Sequence, residues 1–388
     1  MNIEKKLIKT KTLLKPWLSF LELEPIRTYP NLNIPKYAQG WINELKDKNI
    51  EELVEFENNF TINTQDHDFS NFLKELSETI SFPKPLVSKE DDIIIGLKQK
   101  KNHEIQRIRE IIKDYNELNY VDIGSGVGHL SEALVKEQDS FSNCIDMDEY
   151  LQELGKKRLN EKGLLKKFNF IHANFKKDSQ YQLITPYSKN MILGLHACGD
   201  LSSEIIEYFH KVQAQHLISI GCCYQRLNNS YNLSKLAQDS PLLFSTNALN
   251  LAARCYQFQT EAGLRQKIKI RRYRYALHLY QQSKGQSDFS SIGKTKLADY
   301  DDSFSAYVKK YANFTIGSSE EIESFFQNNI NEVEHIIFTD IFRLSLGRLI
   351  EVYLILDRAQ YLVEHGHKVK VLEIFERKLS PRNLAIIV

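Results

Sequence analysis

The stretch that decides the fold of this chain is residues 120–131, which read Tyr-Val-Asp-Ile-Gly-Ser-Gly-Val-Gly-His-Leu-Ser. A short β-type run over residues 120–123 ends in three glycines at alternate positions, and a helical pattern begins directly after them. A strand, a glycine-rich turn and a helix in this order are typical of doubly wound α/β folds, which hold a nucleotide-like ligand over the turn. The glycine spacing differs from the dinucleotide fingerprint, and the carboxylate of Asp122 disfavours a pyrophosphate.

A carboxylate beside the turn suits a ligand with positive charge, and S-adenosyl-L-methionine carries both a sulfonium and an amino group. We therefore predict S-adenosyl-L-methionine as the cofactor. The predicted contacts around the turn are Asp122, Gly124, Ser125, Gly126 and Gly128. Asp146 lies about 20 residues beyond the turn, where a carboxylate accepts hydrogen bonds from ribose hydroxyls. Asn174, after the third β-type run, is a candidate for the adenine edge, and the alternative is an ordinary turn residue.

Alternation of β-type runs and helical patterns predicts a parallel sheet. The five predicted parallel strands are residues 120–123, 142–146, 168–173, 190–195 and 216–220. Two further β-type runs, residues 368–375 and 383–388, predict an antiparallel terminal hairpin. The fold class we expect is α/β, with the seven-stranded Rossmann-like sheet of class I methyltransferases, since the dehydrogenase sheet has no such hairpin.

Four regions follow from the pattern. Residues 1–90 predict an N-terminal helical region, because apolar residues recur there at helical spacing without any chemical motif. Residues 91–225 are predicted to form the cofactor-binding Rossmann-like core. Residues 226–340 are predicted to form a helical insertion that contributes to substrate binding. Residues 341–388 predict the last helix and the hairpin that complete the core.

Ligands of open α/β sheets lie beyond the carboxyl ends of the strands. The fourth strand ends in Gly-Leu-His-Ala-Cys-Gly-Asp-Leu (residues 194–201), and the fifth ends in Gly-Cys-Cys-Tyr-Gln (residues 221–225). We predict His196 as a general base and Tyr224 as a residue that positions the methyl acceptor. His196 and Cys198 are also expected beside the cofactor, and the alternative is that they only shape the loop beneath it.

Three of the cysteines are candidate metal ligands together with His196. His196, Cys198, Cys222 and Cys223 can meet across two strand ends, but adjacent cysteines on a strand point apart and no C-x-x-C is present. No metal is therefore predicted, and Cys144 and Cys255 are expected to be buried. Five cysteines in a chain of 388 residues are not a disulfide framework, which favours the reducing cytosol or nucleus.

Charge and hydropathy limit the classes of binding partner that the sequence allows. The net charge of +1 excludes a global field that draws the chain to nucleic acid. No apolar run is long enough to span a bilayer, and the lysine-rich start is not a signal peptide. One basic cluster interleaved with tyrosines alternates as a strand does and suits phosphate contact and base stacking. RNA is the expected partner of its members, Arg265, Lys267, Lys269, Arg271, Arg272 and Arg274, and the alternative is an ordinary solvated surface. A protein partner of the chain is also open.

Four separated motifs together resemble the methyltransferase-like-twenty-five family, which includes a member named after a ribosomal RNA adenine dimethylase domain. The motifs are residues 122–131, residues 194–202, residues 221–224 and Leu-Ser-Pro-Arg-Asn-Leu-Ala at 379–385. The likeness extends to residues 100–104, 273–277 and 354–358. It implies an S-adenosylmethionine-dependent fold with the cofactor against Asp122, Gly124, Gly126 and Asp146. The family usually shows Met-Ser-Pro before Lys-Lys-x-His-Glu, where this chain has Leu97-Lys98-Gln99.

The sequence therefore predicts an S-adenosylmethionine-dependent methyltransferase that acts on a macromolecule, with RNA favoured. A more distant likeness, to the His-x-Cys-Gly signature of transfer-RNA ribose methyltransferases, supports RNA. A protein methyltransferase is one alternative. A non-catalytic cofactor-binding scaffold is the other, because no Asn-Pro-Pro-Tyr motif follows the fourth strand.

Overall fold

The computed structural model describes residues 1–86, 96–113, 115, 119–138, 140–176, 190–228, 231–286, 289 and 292–388. Its strands form one seven-stranded sheet in the order β3-β2-β1-β4-β5-β7-β6. The strands are β1 Asn119–Ile123, β2 Ser142–Asp146, β3 Phe168–His172, β4 Asn190–Cys198, β5 His216–Cys222, β6 Lys370–Glu373 and β7 Leu384–Ile387. Strands β1 to β5 pair in parallel, and β7 is antiparallel to both β5 and β6. The predicted fold class, including the terminal hairpin, is confirmed.

Sixteen α-helices lie within the described ranges. They are α1 Ile3–Leu14, α2 Leu18–Leu21, α3 Pro25–Thr28, α4 Gln39–Lys46, α5 Ile50–Asn59, α6 His67–Ile80, α7 Gln99–Ile112, α8 His129–Gln138, α9 Glu149–Glu161, α10 Leu201–Val212, α11 Lys235–Gln238, α12 Thr246–Arg254, α13 Glu261–Ser283, α14 Phe304–Tyr311, α15 Ser319–Asn328 and α16 Ile330–Glu364. No helix in these ranges combines the length and the apolar character that crossing a membrane requires.

The sheet is held by apolar faces on its helices. Ile105, Ile108 and Ile112 recur at helical spacing on α7 and pack with Leu134 of α8 and Tyr120 of β1 in one buried cluster. Helix α10 lies close against β4. Gly194 of β4 permits this approach, since a Cβ added there would come within 2.7 Å of Ile205 Cδ1 of α10. These contacts hold α7, α8 and α10 against the strands that carry the predicted site residues.

Two compact units divide the chain. The first unit comprises Met1–Lys15, Thr79–Gln257 and Gly347–Val388 and contains the whole sheet. The second comprises Pro16–Glu78 and Phe258–Leu346. The core of the second unit is aromatic: Trp41 stacks on Phe69 with ring centroids 5.0 Å apart, and Trp17 lies 5.4 Å from Phe342. Aromatic burial of this kind contributes both apolar area and ring–ring contact to stability.

Two local expectations are corrected. The basic cluster does not alternate as a strand; it lies on α13, a 23-residue helix whose N-cap Thr260 accepts a hydrogen bond from the Gly263 amide at 3.1 Å. The local alternation of lysine and isoleucine is too short to outweigh this cap and the good helix formers around it. The last helix spans 35 residues and begins at Ile330, before residue 341, where the predicted region of the last helix starts.

Candidate active site

The glycine turn is tied to the end of β2. The amides of Gly124 and Ser125 both donate to the Ile145 carbonyl, at 2.8 and 3.1 Å. The Gly126 amide donates to Asp146 Oδ2 at 2.7 Å. All three turn glycines have positive φ, between +56° and +77°, a backbone conformation that disfavours a side chain. The structure therefore brings together the predicted turn residues and the predicted ribose-binding carboxylate.

Asp146 keeps capacity for a ligand. Its Oδ1 accepts the Asp148 amide at 2.9 Å, so each carboxylate oxygen has one backbone donor and a further lone pair. Asp148 in turn caps α9 by accepting the Leu151 amide at 3.1 Å. Ribose hydroxyls can therefore bind Asp146 without loss of the contacts that orient it.

Exposed apolar residues border this carboxylate. Met147 is 67% exposed and Tyr150 is 70% exposed, directly after β2. Exposed Asn174 lies two residues beyond β3, where the neighbouring Ala173 amide donates to the Asp146 carbonyl at 3.0 Å. An adenine ring needs such apolar and amide neighbours. Met147 and Tyr150 are further candidates for this contact that the sequence motifs do not predict.

Asp122 lies beneath the turn. Its side chain is 2% exposed and accepts a hydrogen bond from Ser131 Oγ of α8 at 2.7 Å. Burial raises the pKa of Asp122 to about 6, against the opposing effects of the Ser131 hydrogen bond and the charge of Lys101. Asp122 is therefore a buried carboxylate that ties β1 to α8 beneath the turn.

His196 is oriented by a buried carboxylate. It lies where the β4–β5 register shifts and has a φ of +58°. Its Nε2 is 2.6 Å from Oε1 of Glu104, which is 1% exposed on α7. Burial alone would raise the pKa of Glu104, but hydrogen bonds from His196 and Ser380 outweigh burial and lower it. With the ring proton on Nε2 donating to Glu104, Nδ1 of His196 is the acceptor nitrogen.

Sequence reasoning did not identify Glu104 as the partner of His196. The two residues are 92 positions apart. Ser380 Oγ also donates to Glu104 at 2.8 Å, and the adjacent His103 accepts the Glu376 amide at 3.0 Å. The only sequence signal for this contact was that residues 100–104 and residues 379–385 both resemble motifs of the same family. In the fold these two motifs meet, since Ser380 of one donates to Glu104 of the other.

Three thiols meet at the ends of β4 and β5. Cys198 Sγ is 3.2 Å from Cys222 Sγ, Cys222 Sγ is 3.6 Å from Cys223 Sγ, and all three sulfurs lie within 4.8 Å of one another. The expectation that Cys222 and Cys223 point apart is wrong, because Cys223 follows the strand with a φ of +49° and turns its thiol back. Cys144 and Cys255 are buried, as expected.

The thiols affect one another's ionisation. The hydrogen bond from Cys222 lowers the pKa of Cys198 to about 6. The same contact, together with burial, raises the pKa of the Cys222 thiol far above its ordinary value. Cys198 is therefore the thiol of this pair that ionises first.

Tyr224 is fully buried. Its hydroxyl donates towards the Gly221 carbonyl at 3.2 Å and Glu351 at 3.3 Å, and burial raises its pKa well above the ordinary value. This packing favours a role in holding the end of β5 over direct contact with a methyl acceptor.

The predicted basic cluster is extensively paired inside the second unit. Lys267 pairs with Glu57 at 2.8 Å, and Arg271 pairs with Asp340 at 2.7 Å. Arg274 donates to the Tyr300 hydroxyl at 2.9 Å. The remaining three, Arg265, Lys269 and Arg272, line a cavity of about 680 Å³. The helix thus separates the cluster into internal ion pairs and a cavity-lining set.

The site can be compared with known proteins. A family model described as a methyltransferase domain matches residues 100–230. One similar solved structure is a geranyl diphosphate methyltransferase in complex with SAM, 12% identical over 60% of this chain and 85% of that chain, with a TM-score of 0.26. Another is geranyl diphosphate C-methyltransferase from Streptomyces coelicolor A3(2), in complex with Mg²⁺, geranyl diphosphate and S-adenosyl-L-homocysteine. It is 11% identical over 77% of this chain and 94% of that chain, also with a TM-score of 0.26.

The matched residues 100–230 include the glycine turn, Asp146, His196 and the three thiols. The strand order and the antiparallel β7 are those of the class I methyltransferase sheet. The turn glycines and the lone pairs of Asp146 fit the amino acid and ribose portions of the cofactor. The chain therefore carries a class I S-adenosylmethionine-dependent methyltransferase domain and is an enzyme of that kind.

Proposed function

We propose that this methyltransferase acts on a macromolecule and that RNA is its acceptor. The observation that supports RNA is the cavity of about 680 Å³ in the second unit. Its lining includes basic Lys46, Lys48, Arg265, Lys269 and Arg272 and aromatic Tyr273, Phe326 and Phe338. Phosphate contact and base stacking require this combination of side chains.

The basic side chains around this cavity can exchange their carboxylate partners for a phosphate of a ligand. Arg272 pairs with Glu334 at 2.6 Å, and Lys269 pairs with Asp301 at 2.5 Å, but both cations are more than 40% exposed. Exposed ion pairs contribute only about 0–1 kcal/mol each, so exchange of a carboxylate for a phosphate costs little. Arg265 is more open still, with its carboxylate partner 3.8 Å away.

In the first unit, His196 is the proposed general base. A hydroxyl or amine acceptor must lose a proton as it gains the methyl group, and Nδ1 of His196 is the nitrogen that accepts it. Glu104 stabilises the imidazolium that forms, in the manner of a buried carboxylate behind a catalytic histidine. S-adenosylmethionine, when bound, would supply an activated methyl group, and its in-line transfer to the acceptor would need mainly alignment.

We also infer membership of the methyltransferase-like-twenty-five family. Support comes from the contacts among its motifs: residues 100–104, 194–202 and 379–385 meet through Glu104, His196 and Ser380. The five free thiols favour a reducing compartment, the cytosol or the nucleus.

The test has two stages. Calorimetry should first show S-adenosylmethionine binding to the wild type, weakened in Asp146→Ala by about 1–3 kcal/mol as ribose hydrogen bonds are lost. Transfer of a labelled methyl group to fractionated cell extract should then give a product sensitive to ribonuclease. His196→Ala should keep cofactor affinity and lose transfer.

Each other outcome is informative. A labelled product that resists ribonuclease and is destroyed by protease would replace RNA with a protein acceptor. Tight cofactor binding without transfer to any fraction would favour a scaffold. Full activity in His196→Ala would remove the base assignment while leaving the acceptor class intact.

A further inference from the structure

The three thiols at the ends of β4 and β5 have no part in the proposed transfer. We propose that Cys198, Cys222 and Cys223 form a binding site for a thiophilic metal ion, and that Zn²⁺ is the ion this ligand set fits best. The proposal concerns this cluster alone and does not depend on the identity of the methyl acceptor.

The spacing of the sulfurs matches such a site. A Zn²⁺ ion bound by thiolates at about 2.3 Å in tetrahedral geometry places its sulfur ligands roughly 3.8 Å apart. The separations of Cys222 Sγ from its two neighbours are 3.2 and 3.6 Å, and no pair in the cluster exceeds 4.8 Å. Entry of an ion therefore needs changes of about 1 Å or less in these sulfur–sulfur separations.

The backbone holds the three ligands in place. Cys198 and Cys222 are directly paired across β4 and β5, and the Gly199 amide donates to the Cys222 carbonyl at 3.1 Å. The left-handed backbone at Cys223 brings the third sulfur to the same side. Ligands carried on rigid strand ends keep their geometry better than ligands on free loops.

The loop after β4 is equally constrained. Gly199 has a φ of +56°, and a Cβ added there would lie 2.6 Å from the Arg226 carbonyl oxygen. The residues that follow the two strands, Gly199 and Arg226, are therefore packed against each other.

Charge and access also suit a cation with thiolate ligands. Cys222 is buried, whereas Cys198 and Cys223 are partly exposed, which leaves a path for an ion. Three thiolates and one Zn²⁺ ion carry a net charge of −1. The positive guanidinium of Arg226, which interacts electrostatically with Cys198 and Cys223, offsets this charge.

Three protein ligands leave the fourth position of a tetrahedral ion open, as in catalytic rather than structural zinc sites. The His196 carbonyl oxygen is 3.4 Å from Cys198 Sγ and 3.2 Å from Cys222 Sγ, so the cluster adjoins the proposed base. Water or a donor atom of a bound molecule can complete the tetrahedron there.

The first measurement is the metal content of the full-length protein, purified under reducing conditions with zinc in the medium. We expect about one Zn²⁺ per chain. The single variants Cys198→Ser and Cys223→Ser should lose most of it. Cys255→Ser, which changes a buried thiol outside the cluster, should retain it.

A second measurement uses only the wild type, because a cysteine variant may fail to fold. The protein is stripped with a chelator and titrated with Co²⁺, and we expect thiolate-to-cobalt charge-transfer absorption together with proton release. Alkylation mapped by mass spectrometry should show the partly exposed Cys198 and Cys223 protected by the ion and reactive without it.

Three results would overturn the proposal. One is a wild-type protein with no bound metal and no charge-transfer absorption on addition of Co²⁺. Another is an unchanged metal content in the triple serine variant. The third is a Cys198–Cys222 disulfide in the purified protein whose reduced form binds neither ion, since the pair would then be a two-electron thiol couple.

Discussion

Among single residues, Asp122 links stability to pH. Burial raises its pKa to about 6 from the ordinary 3.8. Its contribution to stability is therefore complete below about pH 4 and is lost as the pH rises through 6. Asp122→Asn should remove this dependence and be more stable than the wild type at pH 8 by roughly 1–3 kcal/mol, as measured by urea unfolding at pH 5 and pH 8. Equal differences in unfolding free energy between Asp122→Asn and the wild type at pH 5 and pH 8 would contradict a raised pKa of Asp122.

The same residue tests why a carboxylate lies beneath the turn. Asp122→Asn removes a negative charge near a cationic cofactor, so the affinity for S-adenosylmethionine should fall although the folded chain is stabilised. Ser131→Ala is the matched control, because it removes the 2.7 Å hydrogen bond and keeps the charge. Calorimetry at pH 8 measures both. Unchanged affinity in Asp122→Asn would assign this carboxylate to folding alone.

Glu104 acts through His196, so it is a positioning residue. Glu104→Gln keeps the size of the side chain and removes the charge that would stabilise an imidazolium. Turnover should fall about 10²-fold, while the affinity for cofactor stays unchanged. Ser380→Ala is the control, since it removes only the 2.8 Å hydrogen bond to the same carboxylate. Loss of cofactor binding in Glu104→Gln would show a purely structural role.

At the scale of elements, a buried ionic network joins α16 to the segment before β7. Glu351 accepts from Arg348 at 2.6 Å and from Arg382 at 2.8 Å, and all three side chains are buried. Glu351→Gln leaves two buried cations without their carboxylate and should cost about 3–5 kcal/mol in urea unfolding. The exposed pair of Arg265 and Glu261 is the control, where Glu261→Gln should cost less than about 1 kcal/mol.

The elements show what local pattern can predict. Strand β2 has the predicted bounds, and β1 and β3 differ by one residue, because short β-type runs between turn signals leave little freedom in where a strand begins and ends. Strand β4 continues past the register shift at His196 to Cys198. The sequence pattern does not predict this extension. Likewise, the left-handed backbone at Cys223 reverses the predicted direction of a thiol.

At the scale of the whole molecule, the limit of sequence reasoning is long-range pairing. The glycine turn and Asp146 were predicted because one supersecondary unit brings them together. Glu104 meets His196 only through the packing of α7 against the sheet, and Lys267 is neutralised by Glu57, 210 residues away. Composition therefore indicated a basic cluster but not which of its charges remain available to a partner.

RNA affinity should depend on the cations of the basic cluster that line the cavity and not on those held by internal partners. Arg271 and Arg274 are held by internal partners, so the informative variant replaces only the cavity-lining cations of α13. The test variant is Arg265→Ala, Lys269→Ala and Arg272→Ala. The control removes three exposed lysines of the second unit outside the cavity lining, Lys36, Lys74 and Lys309.

Each phosphate contact contributes about 0.7 to the slope of log affinity against log salt for single-stranded RNA. Loss of three contacts should lower the slope by about 2 and weaken binding most at low salt. The control carries the same change in net charge, so it separates a local site from general electrostatic attraction. Salt titrations of RNA binding by fluorescence anisotropy measure both slopes. Equal slopes in the two variants would exclude this cavity as the RNA contact and leave the methyl-transfer site of the first unit unaffected.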